Sequence, residues 1–308
     1  MSAPEIIAVV GPTAVGKSDL GVSLAHALGG EVVNADASQL YRGMDIGTAK
    51  LSLAEREGVP HHQLDVLDVH DEASVAAYQV HSRADMDSII DRGRVPVLVG
   101  GSGLYVRAAL DQLEIPPTDK DVRARWQTRL DEVGAVALHA VLADADPVAA
   151  ERILPTNGRR VVRALEVIEL TGRPFSATMP SRTYERPALM IGLEAPRDVL
   201  DRRIGLRVER MWEAGLLDEV RQLVDAGLRE GRTASRAIGY SQALAQLDGV
   251  VDEEEAKAST AAATRRLVRR QLSWFRPDPR VVWLPHDAPD LTDLALQAVR
   301  TAKDAHGR

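Results

Sequence analysis

The sequence predicts an α/β protein, a parallel sheet core interrupted by a helical insertion and resumed after it. Three observations carry this prediction. Up to about residue 110, short apolar runs alternate with amphipathic stretches, the pattern of βα units. From 116 to 184, four stretches carry helical periodicity with no strand between them. Strand character then returns at 188–193 (ALMIGL), with long helical patterns behind it.

Each element has its own warrant. Residues 6–10 (IIAVV) are apolar throughout and too short for a helix, so they read as a buried strand. A glycine loop and a helical pattern over 17–28 follow. Residues 31–36 (EVVNAD) give a second strand and 63–66 a third. Helical spacing covers 75–91, the strand 95–99 runs into a second glycine turn, and 104–110 is the next helix. Inside the insertion the helical stretches are 122–133, 135–143, 147–154 and 160–171, the last closed by Gly172-Arg173-Pro174. Long helices at 197–212, 216–226 and 253–274 lead to a last strand at 281–284. The expected organisation is a core over 1–115, an insertion over 116–184, and the rest of the core with C-terminal helices over 185–308.

Composition excludes several classes. A formal charge of −7 rules out a uniformly basic nucleic-acid coat and leaves room for a local basic groove. With 45% hydrophobic and 27% charged residues the chain is not a disordered one. Absence of cysteine excludes disulfides, thiolate zinc sites and a cysteine nucleophile. No apolar stretch approaches the ~18 residues of a membrane span, and residues 1–5 lack the basic start of a signal peptide. A cytoplasmic protein with no membrane partner is expected. Of the 38 basic residues only five are lysine, a bias that a GC-rich genome explains and that lowers the weight of any arginine cluster.

The sharpest motif is Gly11, Pro12, Thr13, Ala14, Val15, Gly16, Lys17, Ser18, which fits G-x-x-x-x-G-K-[ST] between a strand and a helix. It makes the core P-loop NTPase-like. The glycines let backbone N–H groups curl around a phosphate at the positive end of the helix. Lys17 would reach the outer phosphate and the Ser18 hydroxyl would ligate Mg²⁺. Polyphosphate is what this loop specifies, neither adenine nor hydrolysis.

Asp36, at the end of the second strand, lies at the carboxyl edge of the sheet, where open α/β folds bind ligands. Two readings stand side by side. It could serve the phosphate site as metal ligand, ribose ligand or base, or simply cap the turn through Ala37 and Ser38. Gly100-Gly101-Ser102-Gly103 offers further N–H groups and a hydroxyl if its strand neighbours the first, though a plain tight turn explains it nearly as well. No N-K-x-D guanine motif is present, and the strand 95–99 ends in Gly100 rather than an aspartate. His61 and His62 are adjacent in an extended segment, point to opposite faces and cannot ligate one ion. Glu253 to Glu255 complement the start of a helix.

The stretch 264–276 (TRRLVRRQLSWFR) holds five arginines and no acid. Leu267, Val268, Leu272 and Phe275 would face the core and leave the arginines on one side. A solvated helix face is the ordinary explanation, and phosphate or nucleic-acid contact the serious alternative. Arg159, Arg160 and Arg163 form a weaker cluster in the insertion.

Taken together these residues resemble the bacterial tRNA dimethylallyltransferase (tRNA isopentenylpyrophosphate transferase) family. The matching stretches are GPTAVGKS at 11–18, NADASQLYRGMDIGTAK at 34–50, GGSGLY at 100–105, RRVVRALEVIELTGRP at 159–174, RAIGYSQ at 236–242 and RRLVRRQLSWFR at 265–276. The resemblance implies a P-loop core with a helical insertion. It also implies transfer of a dimethylallyl group from dimethylallyl diphosphate to N6 of the adenosine just 3′ of the tRNA anticodon, with diphosphate leaving. The loop Gly11 to Ser18 then clamps diphosphate, with Mg²⁺ on Ser18, and no ATP need be hydrolysed. Asp36 falls on the family's general base, beside Ala37, Ser38 and Gln39 in its adenine-contacting stretch. Ser102 stands where the family usually has threonine near the reaction channel, and Arg207 on an arginine associated with the diphosphate. Segments matching the tRNA contacts are Arg159, Arg160, Val161, Val162 and Arg163; Arg236, Ala237, Ile238, Gly239, Tyr240 and Ser241; and Arg269, Arg270, Gln271, Trp274 and Arg276. Arg123 is a further contact on this alignment. The implied partner is the anticodon stem-loop of tRNA, bound by a monomer. Ala37 occupies a position where the family commonly has serine, and the zinc finger of the eukaryotic relatives is impossible without cysteine.

Two other readings compete. A P-loop kinase would use Asp36 to activate an acceptor hydroxyl, but leaves the arginine segments and the insertion unexplained. A non-catalytic RNA-binding module would keep the loop as a switch, which Asp36 beside the phosphate site argues against.

Overall fold

The computed structural model describes residues 3–178 and 182–304. Met1 and Ser2, residues 179–181 near the end of the expected insertion, and residues 305–308 lie outside the described residues. Two compact units make up the chain: residues 1–110 with 184–308, and Asp111–Thr183. The second begins five residues ahead of the break expected at 116. Its two ends are tied where the Gln112 N–H donates to the Thr183 carbonyl at 2.8 Å, a pairing that composition cannot show.

The first unit is built on six parallel strands: β1 (Ile6–Val10), β2 (Glu31–Asn34), β3 (His61–His62), β4 (Pro96–Gly100), β5 (Ala188–Glu194) and β6 (Val281–Pro285). Their order across the sheet is β3-β2-β4-β1-β5-β6. All five residues of β1 are buried, as an all-apolar central strand covered on both faces requires. Because β4 lies between β2 and β1, the carboxyl ends of these three strands sit side by side, and the loops after them share one edge. Such a crevice is where open α/β sheets place their ligands.

Two strands differ from expectation. β3 occupies His61–His62 rather than 63–66, because Gln63 and Asp65 take φ values of 57° and 56°, which turn the chain out of the sheet. β2 stops at Asn34, two residues before Asp36. The helices of the first unit are α1 (Lys17–Leu28), α2 (Val75–Asp91), α3 (Gly103–Leu110), α7 (Arg197–Glu213), α8 (Leu216–Asp225), α9 (Tyr240–Leu247), α10 (Glu253–Phe275) and α11 (Leu291–Asp304). Sequence reasoning passed over α9 and α11, although Tyr240, Ala243 and Leu244 repeat at helical spacing. α10 opens on a capping box, the Asp252 carboxylate accepting the Glu255 N–H while Glu255 accepts that of Asp252.

The insertion forms α4 (Lys120–Ala145), α5 (Pro147–Arg152) and α6 (Gly158–Thr171). Gly134, at φ 80° and ψ 163°, breaks α4 where the sequence separates two helical stretches. Leu138, Leu142, Ile153, Val161 and Leu165 form its own core. Among the described residues no helix is long and apolar enough to cross a membrane.

Candidate active site

The loop between β1 and α1 turns sharply at its start. Gly11 has φ 140°, and a Cβ there would meet the Leu193 carbonyl oxygen at 2.7 Å, so a side chain is excluded. Ala14 takes the left-handed conformation at φ 64°, a strained one for a residue with a Cβ. Gly16 caps α1, again left-handed, and Lys17 and Ser18 are its first residues. The Lys17 ammonium donates to the Pro12 carbonyl at 2.6 Å. Burial lowers the Lys17 pKa to about 8, with Arg207 adding to the effect and Asp36 opposing it.

Beyond β2 the chain is fixed by Asn34, a buried residue that sequence reasoning did not single out. Its Oδ1 accepts the Asp36 N–H at 2.9 Å, and its Nδ2 donates to the carbonyls of Asp36 and Gln63 at 3.0 and 2.9 Å. Asp36 then caps a single helical turn over Ala37–Leu40, its Oδ1 accepting the Ser38 N–H at 3.0 Å. The capping arrangement is therefore present. It uses one carboxylate oxygen, and Asp36 still lines the cavities described next.

Two adjoining cavities share Thr13, Asp36, Thr48 and Arg207. The first, of about 410 Å³, is lined by the cationic Lys17, Arg203 and Arg207, by Ser18 and the carboxylates of Asp19 and Asp36 among other polar groups, and by the apolar Val32, Leu51, Leu64 and Val99. The second, of about 300 Å³, is lined by Ala37, Ser38, Ser102, Met211, Ile238, Leu267 and Gln271 as well. All these residues belong to the first unit. Arg203 and Arg207 stand one turn apart on α7: Arg203 donates to the Ala14 carbonyl at 3.2 Å, Arg207 to the Thr13 hydroxyl at 3.2 Å and the Thr48 carbonyl at 2.9 Å. Burial lowers the Arg207 pKa, against the pull of Asp36. Arg203, missed in the sequence, was findable as the residue one helical turn before Arg207.

Glu219 of α8 was also missed. Its carboxylate accepts the backbone N–H groups of Asp45, Ile46 and Gly47 at 3.1, 2.8 and 3.4 Å, and the Tyr240 hydroxyl at 2.5 Å. It thereby holds the loop whose Thr48 carbonyl receives Arg207 and, at 3.2 Å, Gln39.

The residues matched to tRNA contacts separate into distinct groups. Arg269, Arg270 and Arg276 are exposed, and Arg269 and Arg270 line an open hollow with Arg266 and Ser273. Trp274 is 41% exposed. Arg159 and Arg160 are exposed on α6, and Arg236 ahead of α9. Others are buried, or are paired with residues of their own unit. Val161 and Val162 belong to the insertion's core, because helical spacing turns them away from Arg159 and Arg160. Tyr240 is fully buried on Glu219, behind a buried Gly239. Gln271 is 4% exposed and accepts the Thr13 N–H at 2.8 Å. Arg123 and Arg163 both bind Glu166, which has no exposed surface, at 2.8 and 2.9 Å. Burial alone would raise the Glu166 pKa, yet hydrogen bonds from Thr118, Arg163 and Arg123 hold it at about 2. These two arginines hold the insertion together.

His62 donates or accepts at Glu31, 2.6 Å away, and His61 bonds the Val59 carbonyl at 2.8 Å, so the pair shares no ion. His61 nevertheless lines the first cavity, where burial lowers its pKa.

A family model described as IPP transferase matches residues 39–278. The tRNA dimethylallyltransferase of Thermobifida fusca is 64% identical over 299 residues, covering 96% of this chain and 94% of that one. That of Kineococcus radiotolerans is 63% identical, covering 96% and 95%. Among solved structures, the tRNA isopentenylpyrophosphate transferase of Bacillus halodurans aligns with a TM-score of 0.72 and 40% identity over 99% of each chain. A eukaryotic dimethylallyltransferase acting on tRNA aligns with a TM-score of 0.82 and 27% identity, over 99% of this chain and 80% of its own. A phosphate loop facing a strand-end aspartate is common to many folds, but likeness of this extent along the whole chain is not, and it establishes that the chain belongs to the IPP transferase family.

Proposed function

We propose that this protein transfers a dimethylallyl group from dimethylallyl diphosphate to N6 of the adenosine immediately 3′ of the tRNA anticodon, releasing diphosphate. The observation that carries the reading is Asp36 lining both cavities at once, beside Lys17 and Arg207. A cavity with a cationic end and an apolar wall suits a diphosphate carrying a short branched chain. The second cavity, lined by Ser38, Ser102 and Ile238, suits a flat base taken out of its stack.

The chemistry needs help at both ends. The adenine amine is a poor nucleophile, its lone pair being delocalised into the ring. As the N6–C1 bond forms, Asp36 takes the N6 proton, a contribution of roughly 10²–10⁴-fold. The C1–O bond breaks with its electron pair leaving on diphosphate. Lys17, Arg207, the loop N–H groups and Arg203 stabilise that growing negative charge. The Ser18 hydroxyl lines the first cavity with no hydrogen-bond partner among the described residues, and with phosphate oxygens and water it fits the oxygen set that Mg²⁺ prefers. When bound there, Mg²⁺ neutralises diphosphate charge. We read the protein as a monomeric enzyme working where tRNA is, in the cytoplasm.

The deciding experiment incubates unmodified tRNA with dimethylallyl diphosphate and the protein, then weighs the nucleosides by mass spectrometry. An adenosine heavier by one dimethylallyl group, absent without the donor, is expected. Consumption of ATP without tRNA, and no change in the nucleosides, would replace this reading with that of a kinase.

A further inference from the structure

Resting on the reading of the P-loop as a diphosphate clamp, we infer that Gln271 is a positioning residue of that clamp rather than a contact for tRNA. On α10 the buried residues Val268, Gln271 and Phe275 share one face at helical spacing, while Arg269 and Arg270 are exposed. A glutamine in a slot that the apolar pattern reserves for the core needs its amide satisfied. Its Oε1 is satisfied by the Thr13 N–H at 2.8 Å, across 258 residues of chain. Its Nε2 lies flat against the second glycine turn: a Cβ on Gly101 would come within 2.3 Å of it. The side chain is thus wedged between the two glycine loops, and lines the second cavity at the same time.

The loop needs such a brace. Ala14 holds a left-handed conformation, which is disfavoured for a residue with a Cβ, and the bonds on either side of it come from elsewhere in the fold. Gln271 holds the Thr13 N–H, Arg207 the Thr13 hydroxyl and Arg203 the Ala14 carbonyl. The two arginines can also reach a phosphate, since both line the first cavity. Gln271 does not line that cavity and carries no charge, so its effect on the donor passes through the shape of the loop.

Gln271→Met keeps the length and packing of the side chain and removes the acceptor. Inorganic pyrophosphate with Mg²⁺, titrated calorimetrically, should bind the variant about tenfold more weakly, the scale of one lost buried hydrogen bond. The KM for dimethylallyl diphosphate should rise by a similar factor while kcat at saturating donor stays within about twofold. The salt dependence of tRNA binding should not change, and the tRNA Kd should shift by less than the pyrophosphate Kd. Gln271→Leu, which also removes the acceptor while keeping an apolar side chain in the slot, should reproduce the pattern and serves if the methionine variant fails to fold. Weakened tRNA binding with unchanged pyrophosphate affinity would return Gln271 to the tRNA surface and overturn the inference. Unchanged values throughout would also overturn it. Wild-type protein that binds pyrophosphate but transfers no prenyl group would defeat the proposed function and leave this test standing.

Discussion

Asn34 grips Asp36 at both ends of its backbone, accepting its N–H at 2.9 Å and donating to its carbonyl at 3.0 Å. The carboxylate is thereby set on a rigid stub, just past β2, with Oδ1 tied to the Ser38 N–H. In the proposed role of general base, a carboxylate so fixed would lose little entropy on reaching the transition state.

Asp36→Asn preserves shape and keeps an acceptor for Ser38, but removes the basic carboxylate. Its single-turnover rate should fall by roughly two to four orders of magnitude, with tRNA and donor affinities changed by less than about tenfold. Were Asp36 a metal ligand instead, donor binding would weaken and extra Mg²⁺ would restore it. Were it only a cap, the melting temperature would drop and turnover would survive. Rate, two affinities and thermal stability on this one variant separate the three roles.

If Lys17 holds the diphosphate as proposed, donor binding should be pH-dependent. A lysine lowered to about 8 is charged at pH 7 and loses its proton as the pH climbs through 8. A diphosphate would bind the charged form, so donor affinity should decline from pH 7 to pH 9, and binding at the upper end should take up a proton. In Lys17→Ala the decline should vanish along with most of the affinity, tRNA binding staying intact. A flat profile in the wild type would remove Lys17 from the diphosphate site.

Arginines that look alike in sequence should behave differently. Arg269→Ala with Arg270→Ala should weaken tRNA binding and flatten the log–log salt slope by up to about 0.7–0.9 per lost phosphate contact. Arg123→Ala should leave that slope alone and lower the melting temperature, because it strips the buried Glu166 of one of its partners. An unchanged slope in the double variant would make the α10 arginines a solvated face.

Glu219→Gln turns an amide NH₂ or a weaker acceptor toward three backbone N–H groups. Loosening that loop shifts the Thr48 carbonyl and, with it, Arg207. The donor KM should rise about tenfold, the scale of an unsatisfied buried group, with a smaller change in kcat. Equal losses in kcat and kcat/KM would instead place Glu219 in transition-state stabilisation.

The sequence by itself determined the chemistry-bearing loop and most of the elements. An all-apolar strand, a glycine-rich turn and a helix start are local patterns, so Gly11 to Ser18 fell where strand, turn and helix do. The family likewise was legible, because its motifs are contiguous. Only the tertiary structure decided which residues support them. Asn34, Arg203, Glu219 and Gln271 act on partners 2, 189, 173 and 258 residues away. Even the near pair was hidden, since it depends on the chain leaving β2 at Asn34. The same holds for Arg123 and Arg163: their charge was visible, but not the buried Glu166 to which packing turns them. A linear pattern records which face of a helix is apolar; what that face meets is fixed only when the sheet assembles and brings distant loops to one edge.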